Sequence, residues 1–552
     1  MPPSRSSTAT AVAPESHRRT LSSTLIDESV AAAAEVVQKY NVVSTTSSGS
    51  LFLRSGSGDD HNLFLRATAD LHRAMLFFAS HEDATTTNNN NGGLVQAQEL
   101  LQTAMSRLCL ELRLLLGHVD DNHNDDDDHV QVMISSIIRT MMAAGYGKEC
   151  LSTFKSTRRS ALAAKLSIHS DYLKNMNKLG WDQVDATIIQ PWLCVATTAF
   201  TSLFPKEKQL CDSVFADSGV GEAVFAAIVN DHATGLLAVA EAAIARARRA
   251  PERLFRVLDI HDTLATVEEE ITSVFSTTIN TGVPLVPPAD NEVVATRAGL
   301  VIGKAAEAAG ATLVSFETAI LHKEASSNKG GTAPGGGVHP LTRYVMNYLV
   351  FLADYQQQQL VVGIRAWICR LVSSLLSKLE CKAGSYKEAA LSYLFLANNT
   401  HYVAKKVRGS SKLHMILGDD WAETQSAKAR GHVQVYTRAV WGKVISSTMM
   451  TMVESKAAAA AGAGVVVQTG GLVMEAVQVQ DQWMAADEEM AKALRAAATA
   501  AVLPKYRLFY RRHGVALSLT PGDVTAMIAA LFTSVLVTPV SQPQEPNAVV
   551  PQ

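Results

Sequence analysis

Proline placement constrains this chain more than any other feature. None of its 17 prolines falls between Ser16 and Gln190, or between Leu341 and Leu503. A proline inside a helix removes a backbone hydrogen bond and clashes with the preceding turn, whereas strands are bounded by Pro/Gly turns at short intervals. Long proline-free runs in which alanine is abundant therefore predict long helices and an all-α fold. At 552 residues the chain exceeds what one core supports, so several domains or an extended helical array are expected.

The expected breaks are compositional. Residues 1 to about 20 read as a polar tail, with Arg5, Arg18 and Arg19 among serines and threonines but no apolar secretory core. Thr85 to Gly93 is a low-complexity loop and Asp120 to His129 an acidic one. Pro284, Pro287 and Pro288 interrupt Thr281 to Asn291, and Ser326 to Gly337 is glycine-rich. Ala457 to Gly471 reads as an alanine run joined to a glycine/valine linker. The segments between have helical-hairpin length, which favours stacked antiparallel helices. The expected division is a tail with a short helix over 1–50, helical regions over 51–175 and 176–540, and a tail over 541–552.

Composition narrows the function. Hydrophobic residues make up 47% and charged residues 18%, a globular balance. A net charge of −3 gives no global attraction to nucleic acid or to an anionic membrane, so any such binding needs a local patch. Six scattered cysteines without a CxxC pair outline neither a disulfide framework nor a metal site. No stretch reads as a transmembrane helix. Val524 to Val537 is uncharged but falls short of the roughly 20 residues a span needs, and Val524, Ile528, Leu531, Phe532 and Val535 form the stripe of a packed terminal helix instead.

Candidate chemistry is sparse. Gly418-Asp419-Asp420 matches a polymerase-type carboxylate pair, but Asp419 or Asp420 capping a helix from Trp421 is the simpler account. His261-Asp262 lacks the partners of a phosphohydrolase, and His261 lies on an apolar stripe as a core or interface histidine. Asn398, Asn399 and His401 interrupt another stripe and suit buried hydrogen bonds. No nucleophile elbow, phosphate-binding loop or zinc spacing occurs, so no enzyme, metal or cofactor is expected. One cluster remains. Between Met490 and Gly522 lie Lys492, Arg495, Lys505, Arg507, Arg511 and Arg512 and no acid, with Tyr506, Phe509 and Tyr510 interleaved. It suits either a solvated helix face or an anionic surface.

In GVHPLTRYVMNYLVFLADY, Gly337 to Tyr355, the residues Leu341, Tyr344, Val345, Tyr348, Leu349 and Leu352 share one helical face, and Pro340 suits its first turn. The wording also resembles the signature segment of the plant exocyst seventy-kilodalton component family. Ordered blocks extend the resemblance: Ala104-Met105 with Arg107-Leu108 and Glu111-Leu112, Ala144-Gly145-Tyr146 with Glu149-Cys150, Leu203 to Phe215, Pro251 to Leu264, Leu394 to Val407, Leu417 to Trp421 and Trp441 to Val444.

The resemblance implies an elongated rod of stacked helical bundles and a role in tethering secretory vesicles to the plasma membrane from its cytoplasmic side. It implies other exocyst subunits, Rho-type small GTPases and anionic phosphoinositides as partners, the lipid meeting the C-terminal end. That places the lipid contact at Lys505, Arg507, Arg511 and Arg512. The family's lysine-bearing segment before its last helix is replaced here by Val515 to Leu519, so lipid binding is expected to be weak. The N-terminal part looks short and Ala457 to Gly471 departs from the family's segment, which keeps open a diverged interaction module serving defence or specialised trafficking.

Overall fold

A computed structural model describes residues 15–40, 51–52, 60–81, 90–119, 127–166, 176–216, 219–247, 249–275, 290–322, 333–357, 363–453, 459–513 and 518–533. Among these residues all regular structure is helical, as the proline pattern predicts. The chain gathers into two units, one of residues 1–246 and 259–305, the other of 247–258 and 306–552.

The first unit begins with α1 (Glu15–Lys39), α2 (Asp60–His81), α3 (Asn90–His118), α4 (Asp127–Ala143) and α5 (Gly147–Leu166). α1 starts inside the stretch expected to be tail, and α3 and α4 start inside the two expected loops, at Asn90 and Asp127. On α3, Leu101, Ala104, Met105, Leu108, Leu112 and Leu115 are buried at helical spacing. Arg107 pairs with the fully buried Glu111, whose carboxylate also accepts from the Leu51 backbone N–H at 3.0 and 3.1 Å. Gly145, at φ +87°, makes the left-handed turn between α4 and α5. Arg158 on α5 donates to Leu116 O at 3.1 Å and pairs with buried Glu207. Removing one partner of such a pair costs about 3–5 kcal/mol, because it strands a buried charge.

α6 (Trp181–Val214) carries two π-turns, Asp185–Ile189 and Ala199–Leu203. Each immediately precedes a proline-bearing turn, at Pro191 and Pro205. The wider turn absorbs the bond and the space that a proline denies a regular helix. α7 (Gly221–Ala247), α8 (Leu254–Thr266), α9 (Glu268–Phe275) and α10 (Asp290–His322) follow. Phe200, Phe204 and Phe225 surround Phe275 at ring distances of 5.7 to 6.5 Å.

Three helical stretches, Trp181–Val214, Gly221–Ala247 and Val293–His322, are long and apolar enough to cross a membrane by length and composition, contrary to the expectation of none. Their few charges interrupt the apolar runs and so hide them in the sequence. Each stretch uses that apolarity partly for helix packing: on α7, Phe225, Ile228, Val229, Leu236 and Leu237 are fully buried. His261, on α8, is 5% exposed with an unbonded Nδ1, and burial lowers its pKa: it is the core histidine expected.

The second unit holds α11 (Pro340–Leu352), α12 (Ile364–Ala383), α13 (Ala389–Arg408), α14 (Ser411–Leu417), α15 (Asp419–Val453), α16 (Ala459–Val479), α17 (Glu488–His513) and α18 (Pro521–Ala530). α16 overturns the expected linker. Its alanines favour helix, and Thr469, Val473 and Ala476 are buried, Thr469 bonding to Ser447 Oγ of α15 at 2.7 Å. Asp419 and Asp420 are first-turn residues of α15, not caps of a helix from Trp421; the turn before them is made by Gly418 at φ +87°. There the aspartates complement the helix dipole, and Asp419 lies 2.8 Å from His414 Nε2. α18 ends at Ala530, earlier than the predicted stripe: Leu531 turns extended, yet Val524, Ile528, Leu531 and Phe532 all reach the core. Val535 lies outside the described residues.

Candidate functional site

The basic cluster lies on α17, whose buried face of Met490, Ala491, Leu494, Ala498, Val502 and Tyr506 packs into the second unit's core, and whose Phe509 is buried as well. Acids Glu488 and Glu489 open the helix and Arg511, Arg512 and His513 close it, the arrangement that suits the helix dipole. Arg507, Arg511 and Arg512 are exposed and Lys505 is half-buried. Arg507 and Arg511 are one turn apart, about 5–6 Å between Cβ atoms. Among the described residues Lys505, Arg507 and Arg511 form no ion pair.

The structure thins the cluster seen in the sequence. Arg495 is committed elsewhere: it donates to Glu488 Oε1 at 2.6 Å and to Leu531 O at 3.1 Å, tying the two ends of the α17–α18 pair. Two of the three interleaved aromatics point inward, while Tyr510 is half-buried. Tyr506 is buried and donates to Leu519 O at 3.0 Å, and Phe509 is fully buried. The apolar side chain among the cations is Leu508, 53% exposed. Spacing could have found it: residue 508 is three positions from Lys505 and Arg511 and four from Arg512, on one helical face. Asp523 of α18 is held below its usual range by the N–H and hydroxyl of Thr520 in a reciprocal cap.

Within the same unit the signature segment meets α13. Asn399 Oδ1 accepts from His339 N at 2.9 Å and Thr342 Oγ1 at 2.7 Å, while Nδ2 donates to Phe395 O at 2.8 Å and Gly337 O at 3.2 Å. Asn398 Nδ2 donates to Gly336 O and Met484 O, both at 2.8 Å, and its Oδ1 accepts from Ala486 N at 2.9 Å. Two motifs remote in sequence are thus one hydrogen-bonded junction. Gly335 belongs to it: at φ +58° a Cβ would lie 2.5 Å from Gln482 O. Tyr348 of α11 packs on Phe316 at 4.4 Å, but Tyr344, assigned to the apolar face, is 42% exposed and donates to Glu252 Oε1 at 2.8 Å.

His401, Asp487 and Glu489 gather three potential metal-ligating atoms within 4.8 Å of one another. Lys405 Nζ stands 2.6 Å from Asp487 and 3.4 Å from Glu489, so an ammonium already pairs with both carboxylates and the group is an ion-pair cluster.

Residues 29–118 match the family model described as exocyst complex component Exo70 N-terminal. Residues 190–367 and 363–530 match the model for the C-terminal part of the Exo70 exocyst protein. The chain is 26% identical to exocyst complex component EXO70A1 of Arabidopsis thaliana over 89% of its length and 84% of that protein's. It is 29% identical to EXO70B1 of the same plant, over 69% of this chain and 61% of that one. A solved structure of Saccharomyces cerevisiae Exo70 superposes with a TM-score of 0.57 at 12% identity, covering 94% of this chain and 98% of the other, which shows a common fold.

Proposed function

The chain belongs to the Exo70 family of exocyst subunits, and from that premise we propose that it helps tether secretory vesicles to the plasma membrane. Family matches in both halves of the chain carry this reading. The work is non-covalent: packed helices present surfaces to other exocyst subunits and to a Rho-type small GTPase, and the exposed face of α17 meets anionic phosphoinositide on the cytoplasmic side of the membrane. Neither a cofactor nor nucleic acid takes part.

The cations on α17 support the lipid contact and limit its strength. Each basic residue near an anionic surface contributes about 1 kcal/mol, so Lys505, Arg507, Arg511 and Arg512 supply roughly 4 kcal/mol. That corresponds to a dissociation constant on the order of 1 mM, useful only through avidity in an assembly. The full chain should therefore float partially with vesicles containing phosphatidylinositol 4,5-bisphosphate, less at higher salt, and far less once these four residues become alanine. Tight, salt-insensitive flotation of that variant would rule the face out.

A second reading, a diverged interaction module outside the exocyst, is favoured by the loss of lysines at Val515 to Leu519, of which 515–517 lie outside the described residues. Co-precipitation separates the two, since only the tether recovers sibling exocyst subunits.

A further inference from the structure

The first unit carries a second cationic surface that the tethering reading does not use. Lys148, Ser152, Lys155 and Arg159 recur on α5 at i, i+4, i+7 and i+11, one face about 16 Å long at 1.5 Å per residue. Ser156 and Ser160 lie on the adjoining ridge. All six line an open groove of about 640 Å³ whose other wall includes Ala227 of α7, too small to fill it. Lys148, Ser152, Ser156, Arg159 and Ser160 are exposed, and Lys155 is half-buried.

Among the described residues neither Lys148 nor Lys155 forms an ion pair. Arg159 pairs with Asp231 of α7, whose side chain is 77% exposed, a surface pair held weakly. Glu149 is the neighbouring acid on α5, a residue away from this face. The groove therefore lines up the ammoniums of Lys148 and Lys155, the guanidinium of Arg159 and the hydroxyl of Ser152 with little opposing charge, while the Ser156 hydroxyl donates to Thr153 O at 3.1 Å. A carboxylate offers two oxygens and one charge. A phosphate monoester offers three acceptor oxygens and nearly two charges, which several short donors satisfy better than one lysine does.

We propose that this groove binds a small, multiply phosphorylated headgroup, one phosphate at Lys148 and Ser152 and another at Lys155 and Arg159. The ligand is either a soluble polyphosphate or the headgroup of a lipid, and the site is independent of the face on α17.

Calorimetric titration of the full chain with inositol hexakisphosphate tests it. The Lys148→Gln/Lys155→Gln double variant should lose about tenfold or more in affinity, and Ser152→Ala about threefold. Replacing exposed Lys206 with Gln, or the four cations of α17 with alanine, should change it little. These are surface substitutions, and circular dichroism verifies the fold. Vesicle flotation assigns the source: if the lysine double variant also lowers flotation with phosphoinositide, the ligand is lipid-borne; if only the calorimetric binding falls, it is soluble. No binding of the probe, loss equal to that of Lys206→Gln, or loss only through the α17 variant would overturn the proposal.

Discussion

Asn399 shows how one amide can hold two motifs together. It serves His339, Thr342, Gly337 and Phe395 from a fully buried position, so its loss strands groups that water cannot reach. Each unsatisfied group costs about 1–3 kcal/mol, and the costs do not simply add. Asn399→Ala should lower the stability of the full chain by about 3 kcal/mol in urea denaturation; a loss under about 1 kcal/mol would mean that the junction relaxes around the gap. That asparagines rather than apolar residues interrupt the α13 stripe was legible in the sequence, but their partners, about 60 residues earlier and 86 later, were not. Leu508 makes the opposite case. Half-burial of an exposed leucine in a lipid interface contributes about 1 kcal/mol, so Leu508→Ser should weaken vesicle binding about fivefold with every cation intact. The salt dependence should stay as it is, since the cations that set it are untouched. Unchanged flotation would leave the charges as the whole interaction.

Helix α18 depends on its start more than on its length. Thr520 accepts from Asp523 N at 3.2 Å, and Asp523 Oδ2 accepts from Thr520 N at 2.8 Å. Removing the cap with Thr520→Ala should cost about 1 kcal/mol and speed amide exchange throughout residues 521–530 about fivefold. Exchange at the wild-type rate would show that Val524 and Ile528, buried in the core, hold the helix alone. Local signals and tertiary context divide here. The proline at the start of α11 and its apolar periodicity identified that helix directly. The glycines of 462–471 argued for a linker, and only packing of Thr469 and Val473 reverses that reading. The same competition explains α6, where π-turns let a helix continue past Pro191 and Pro205.

Across the molecule, one buried and three half-buried histidines couple the fold to pH. Burial is the largest cause lowering the pKa of His232, His261, His339 and His432 from 6.5. A depressed folded value means that the unfolded chain takes up the proton first. The stability these groups contribute is complete above pH 6.5 and is lost as pH falls through their folded values. The thermal midpoint should therefore drop between pH 7.5 and 5.5, and His261→Gln should flatten part of that slope. Glu241 and Glu317, lowered chiefly by hydrogen bonds from Arg297 and Arg370, act in a separate window below about pH 4.5. A midpoint constant from pH 7.5 to 5.5 would refute the histidine account.

By itself the sequence determined the all-α class, the helices between prolines and the family, because helix propensity, proline geometry and apolar periodicity act over a few turns of chain. Only the tertiary structure decided which charges are spare. Arg495 and Arg507 look alike in the sequence, yet the first is bonded to Leu531 and the second is exposed. The difference arises from whether a partner distant along the chain arrives within about 3 Å, and no local pattern encodes that meeting.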